Sequence, residues 1–345
     1  MAYTTIDKPT DYFRVKTYSG NSSTQSITWN ESDNMKPDLL WLKGRGYADG
    51  HALVDVIRGS TKNLSSDSTT AEFTQTNGVT SFDTNGWSMG NWSAINRSTS
   101  GTAVGWGWLA GGTGVSNTDG SITSTVSANT TSGFSICAFN GNSGTVGHGL
   151  GAKPDFLVVK SRDTGGSNNW VVTHSALGTN MADKYLILNG TDAGGTSSNV
   201  WGGEPTSTTF TVTGAVAAND NNIAYLFTEK KGYSKFGSYT GNGNADGTFV
   251  YTGFSPSLVM VKASSTTGNW TMFDNKRSPF NFVDNHLYAN TSVAEQTASA
   301  GYIDFLSNGF KKTDTFNNAS GATYIYMAFA EAPFVTSTRI PTVAR

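Results

Sequence analysis

The chain holds a single cysteine, Cys137, among 345 residues. No disulfide can form within it, so stability has to come from packing and strand pairing. Charge is scarce as well, at 14% of residues against about 25% in a typical domain. Lys and Arg together number 23 and Asp and Glu 25, for a net charge of −2. That balance offers no basic face for nucleic acid or for an anionic membrane surface. No run approaches the ~20 apolar residues of a membrane helix. Met1–Asp7 has neither the basic start nor the apolar stretch of a secretory signal. The four histidines, His51, His148, His174 and His286, show no HxH, HxxxH or HExxH spacing, which excludes the usual zinc patterns. Phosphate-cradling loops are missing, and no nucleophile stands beside a base. These gaps predict no metal, no organic cofactor and no enzymatic turnover. What fills the chain instead is Ser, Thr, Asn and 40 glycines, with 12% aromatic residues. Disordered chains are poor in aromatics, so a packed core is expected.

The chain repeats itself three times. Lys36-Pro37-Asp38-Leu39-Leu40-Trp41-Leu42-Lys43, Lys153-Pro154-Asp155-Phe156-Leu157-Val158-Val159-Lys160 and Ser255-Pro256-Ser257-Leu258-Val259-Met260-Val261-Lys262 are copies of one phrase. An aromatic residue and a Gly-Asn precede each copy, at Tyr18–Asn21, Phe139–Asn142 and Tyr239–Asn242. Asn169-Trp170 matches Asn269-Trp270, and Asp55/Arg58 matches Asp274/Arg277, where the middle copy has His174 and Leu177. Asn85-Gly86-Trp87 matches Asn308-Gly309-Phe310, and each copy closes on an aromatic-rich strand. Repetition at this length fixes the architecture before any residue is interpreted.

Apolar runs of four to eight residues, rich in Val, Ile, Phe, Tyr, Trp and Thr and bounded by Gly, Asn, Asp and Ser, read as strands throughout. The predicted fold is all-β: three tandem β-sandwich or jelly-roll-like repeats of about 95–100 residues. The boundaries are an N-terminal arm at 1–14, repeats at 15–110, 134–231 and 232–334, a bridging hairpin at 111–133 and a tail at 335–345. The one candidate for a turn of helix is Ser292–Ala300. Alternation along a strand puts Leu40, Leu42, Leu157, Val159, Val259 and Val261 on one face. It leaves Trp41, Val158 and Met260 on the other, where burial is less certain.

Several phrases resemble a known family. Met1–Pro9, Asp119–Asn129, Gly147–Gly151 and Gly232–Gly243 are similar to marine tailed-bacteriophage proteins that carry a domain of unassigned activity. The resemblance covers nearly the whole chain and rests on turn and strand phrases. It implies a non-enzymatic virion component (a tail, fibre or capsid-surface subunit) that assembles in the host bacterial cytoplasm. It supplies no functional residues. Partners on this reading are other virion proteins and the chain itself, with a homotrimer favoured by analogy with phage appendages.

The alternative is a receptor-binding module for host surface glycans. Trp29, Trp87, Trp92 and Trp201 lie beside Gly, Asn and Ser in expected loops, and exposed rings can stack on sugars. Trp87, Trp92 and Trp201 are the candidate glycan contacts. Trp170 and Trp270 occupy matching strand positions and read as core. Cys137 reads as a packing thiol, and the two Asp/Arg pairs as ion pairs following a strand.

Overall fold

The structure, a computed structural model, describes residues 4–29, 33–99, 101–163, 169–297 and 302–333. Almost every ordered element is a strand, because β-branched and aromatic residues fit a pleated, packed surface. The only helical pieces among the described residues are 3-10 turns at Pro9–Asp11, Ser175–Leu177 and Met181–Asp183. The stretch expected to allow a turn of helix is non-helical over residues 292–297 and pairs as a strand at Gln296–Thr297. Its remainder lies outside the described residues, as does the tail at 335–345.

The same antiparallel sheet forms three times. In the first repeat, strand Phe13–Ser19 pairs with Thr102–Trp108, which pairs with the Pro-to-Lys strand Leu39–Gly44, which pairs with Ala52–Asp55. The second repeat orders Phe134–Asn140, Asn221–Phe227, Phe156–Ser161 and Val171–His174 in the same way. The third orders Ser234–Thr240, Thr323–Pro333, Phe254–Ala263 and Trp270–Asp274. Register is disturbed on both sides of Pro256, where the missing N–H leaves a gap in the ladder. The bridging segment forms the expected hairpin, Val115–Asn117 with Ser124–Asn129. It then pairs with Phe134–Asn140 and so widens the second sheet. The first strand begins at Phe13, two residues before the expected boundary.

Each Pro-to-Lys strand is buried on both faces. Leu40 and Leu42, Leu157 and Val159, and Val259 and Val261 do share a face. In each repeat that face packs in a separate outer core under a smaller sheet. The opposite residues, Leu39 and Trp41, Phe156 and Val158, and Leu258 and Met260, meet in one central core common to all three repeats. Phe13, Trp108, Phe227, Phe236 and Phe329 interlock there, with Phe13–Trp108 at 4.8 Å and Phe13–Phe329 at 5.0 Å between ring centroids. Ile6 from the N-terminal arm is buried in the same core. The three repeats are therefore one body built around a pseudo-threefold axis.

Candidate functional site

Each repeat meets the next along a seam, and the seams close into a ring. The Trp170 Nε1–H donates to the Ser65 carbonyl at 2.8 Å, from repeat two to repeat one. The Trp270 Nε1–H donates to the Ile187 carbonyl at 2.9 Å, from repeat three to repeat two. In the first repeat His51 stands at the same strand position, and its Nε2 lies 2.9 Å from the Tyr288 carbonyl of repeat three. His51 Nδ1 already accepts from the Trp41 Nε1–H at 2.8 Å. Nε2 must then carry the proton and donate. Three equivalent ring-to-carbonyl bonds thus run head to tail through one chain.

Two of the seams share an ion set built on a buried Asp–Arg pair. Between repeats one and two, Arg58 Nε donates to Asp55 Oδ2 at 2.6 Å, and Arg58 Nη1 reaches Glu72 Oε2 at 3.2 Å. Glu72 accepts both Nε and Nη2 of Arg162, each at 2.9 Å. The Tyr225 hydroxyl donates to Asp55 Oδ2 at 2.8 Å. Between repeats three and one, Arg277, Asp274, Glu295, Arg45 and Trp106 take the same places at 2.6–3.1 Å. Neither Asp–Arg pair has any side-chain exposure. The sequence reading of both as ion pairs after a strand holds, and the structure adds their partners across the seam.

The third seam, between repeats two and three, keeps the backbone contact and loses the ions. Gly194 N–H donates to the Ser264 carbonyl at 2.8 Å, as Glu72 does to Arg162 and Glu295 to Arg45. At the side-chain positions, however, His174 replaces the aspartate, Leu177 and Ser264 replace the two arginines, Gly194 replaces the glutamate and Met327 replaces the aromatic partner. Taking two guanidinium groups and a carboxylate away without closing the backbone leaves a space. An open pocket of ≈ 230 Å³ lies there, lined by Leu177, Lys184, Thr196, Ser264, Ser265 and Thr323 together with Gly194 and Gly195. Lys184 Nζ donates to Thr196 Oγ1 at 2.7 Å.

Beside each seam is a fully buried lysine from the end of the repeated phrase: Lys43, Lys160 or Lys262. Lys160 reaches across to the Thr69 carbonyl at 3.4 Å, and Lys262 to the Thr191 and Asp192 carbonyls at 3.2 and 2.8 Å. Burial pushes all three amines down to about 8. The void on the central axis is of another kind. It measures ≈ 30 Å³ and is walled entirely by apolar and aromatic side chains such as Leu39, Trp170 and Met260, so it offers nothing to hold a polar ligand.

The expected loop tryptophans are not where the sequence suggested. Trp87 is 0% exposed and Trp201 1%, and Trp29 is buried too. Trp29 and Trp87 lie on the Thr102–Trp108 strand over Gly107 and Gly105. A Cβ at Gly105 would come within 2.9 Å of the Trp87 ring, and one at Gly107 within 2.7 Å of the Trp29 ring. Two strand glycines thus make room for two indoles, and the candidate contacts Trp87 and Trp201 are core. Trp92 is half-buried and packs edge-on against the exposed Phe73 at 6.0 Å. Phe280, Phe282, Phe249 and Tyr251 are more exposed than any of these, with Phe280 at 82%. Sequence reasoning overlooked them because they are not tryptophans. Trp170 and Trp270 are core as read. Cys137 is buried, and burial pushes its thiol up to about 12, as fits a packing residue.

Residues 8–333 match the family described as a domain of unknown function, DUF7483. The chain belongs to that family. Neither the curated proteins nor the solved structures gave a match. For this DUF7483 chain, the pseudo-threefold body and its one unfilled seam are the features on which a functional reading has to rest. Among the described residues no group of three His, Cys, Asp or Glu side chains is placed to hold a metal ion.

The buried histidines of the DUF7483 body also set a pH dependence. Burial pushes His51, His174 and His286 down to about 4, from an ordinary value near 6.5. The Nδ1 atoms of His51 and His174 each accept a hydrogen bond, from Trp41 and Ala176, so a proton can be added only by breaking it. The unfolded chain therefore binds more protons than the native one between pH 6.5 and pH 4. The histidine contribution to stability is full above that window and falls on acidification, by up to about 1.4 kcal/mol per pH unit for each histidine. Urea midpoints measured from pH 7 to pH 4.5 should drop accordingly. A midpoint that stays flat across the range would contradict the buried neutral rings.

Proposed function

We propose that this chain is a non-enzymatic structural component of a tailed-bacteriophage particle, a tail, fibre or capsid-surface subunit. The observation that carries the reading is the closed ring of three equivalent repeats. A body with near-threefold symmetry presents similar outer surfaces around one axis, and such a shape suits a seat on a symmetric appendage. The resemblance of its turn phrases to virion proteins points the same way. The chain's partners on this reading are other virion proteins and further copies of this chain, a homotrimer among them. The exposed rings Phe280 and Phe282 belong to the outer surface available to them.

The test is to purify particles and locate the chain by a fused density label in cryo-electron microscopy. Labelled chain on the particle fits the proposal, and particles that lack it would end it. Light scattering on the purified chain tests the homotrimer: a mass of three chains fits it, and the mass of one chain leaves attachment to other virion proteins as the partnership. A second reading, a receptor-binding module for host surface glycans, is favoured by one observation, the polar pocket in the third seam.

A further inference from the structure

We propose that the pocket in the seam between repeats two and three binds a small hydroxylated carboxylate of the size of a single uronic acid residue. The inference deepens the glycan-binding reading by giving it a site and a sugar class. It does not depend on where in a particle the chain sits.

The pocket stands where the other two seams carry ions. The other two seams are filled by Glu72 with Arg58 and Arg162, and by Glu295 with Arg277 and Arg45. The third seam holds its backbone at the same separation, through the 2.8 Å bond from Gly194 to Ser264. Its side chains stop short, so a space is left between the ends of the strands Lys184–Ile187 and Gly195–Thr196 on one side and the turn after Phe254–Ala263 on the other. At ≈ 230 Å³ it has room for about eight waters at ~30 Å³ each, the room of one pyranose ring.

The walls then select the chemistry. Lys184 is the only formally charged side chain among the lining residues. Its amine bonds the Thr196 hydroxyl, and no carboxylate lies within ion-pair distance among the described residues. An anionic group can approach it without displacing a carboxylate. The other polar walls are hydroxyls with capacity to spare. Thr196 Oγ1 accepts from Lys184, and Ser265 Oγ accepts from the Thr323 N–H at 2.8 Å. Each of these hydroxyls keeps its own O–H to donate and a further lone pair to accept. Ser264 Oγ donates to the Thr323 carbonyl at 3.1 Å and still accepts. Leu177 gives the one apolar wall, suited to the C–H face of a ring. Cation at one point, hydroxyls around it and a small apolar wall match a carboxylate on a hydroxylated ring. They match a bare anion or a neutral sugar only in part.

The experiment titrates the purified full chain with glucuronate, glucose and acetate, each read by backbone-amide chemical shifts. Glucuronate is expected to bind in the millimolar range and to move the amides of Gly194, Gly195 and Ser265. Glucose and acetate should each bind at least 10-fold more weakly. Lys184→Gln should weaken glucuronate at least 10-fold without changing the fold. The pair Gly194→Glu with Ser264→Arg copies the filled seams and should abolish binding while raising the melting temperature. If that pair fails to fold, Thr196→Val serves in its place and should weaken binding. No shift with glucuronate at ~50 mM would overturn the proposal. So would equal affinity for acetate, or glucuronate binding that Lys184→Gln leaves intact. Because every measurement is on the isolated chain, a negative result leaves the virion reading standing.

Discussion

Replacing Trp87 with alanine should destabilise the chain by about 3–5 kcal/mol, the usual loss when a buried tryptophan is truncated. The ring is fully enclosed, within 5.1 Å of Trp29 and 5.6 Å of Tyr18 between centroids. It lies on a strand whose glycine has no side chain that could move in to fill the gap. The cavity would therefore remain. Trp92→Ala should cost much less, because that ring is only half-buried. Urea denaturation followed by circular dichroism distinguishes the two. Equal midpoints for the wild type and Trp87→Ala would show that this residue is not core, and would return it to the surface where the sequence first put it.

Arg277→Leu should cost about 3–5 kcal/mol as well, through a different mechanism. It strands the buried Asp274 carboxylate with only backbone donors and the Trp106 Nε1–H for company. It also takes one cation from Glu295. Removing one member of a buried pair is far worse than removing both, because the remaining charge keeps its desolvation cost and loses its partner. The double variant Asp274→His with Arg277→Leu copies the residues that the third seam carries naturally, His174 and Leu177. It should recover a large part of the loss despite being the larger change in sequence. Thermal melts of the single and double variants test this. If the double variant is the less stable of the two, the reasoning about stranded charge fails. The same comparison explains how repeat two can do without the ion set: every member of it has been replaced, so no charge is left alone.

The threefold phrase gave the strands, their order of appearance and the face shared by Leu40, Leu157 and Val259, because alternation is a local property of an extended chain. Asp55/Arg58 and Asp274/Arg277 could be read as ion pairs because three-residue spacing after a strand brings the two together. The departure at His174 and Leu177 was visible too, but not its meaning. Glu72 and Arg162 come from different repeats, as do Gly194 and Ser264, and no local pattern joins either pair.

The sequence by itself determined that the protein is an all-β chain of three like units with strand-forming cores. That followed from side-chain periodicity and turn residues, which act over a few positions. Only the tertiary structure decided that the units close on one another. Trp41, Val158 and Met260 lie opposite the outer cores and looked optional as single strands. They are buried because three sheets bring those faces together on one axis. Packing likewise reversed the reading of Trp87 and Trp201: a glycine on another strand leaves room for the Trp87 indole, and Trp201 is enclosed in the outer core of the second repeat, neither of which a loop sequence can show. The unfilled seam is tertiary in the same sense. It exists because the backbone bond from Gly194 to Ser264 is kept while the side chains that fill the other two seams have no counterpart there.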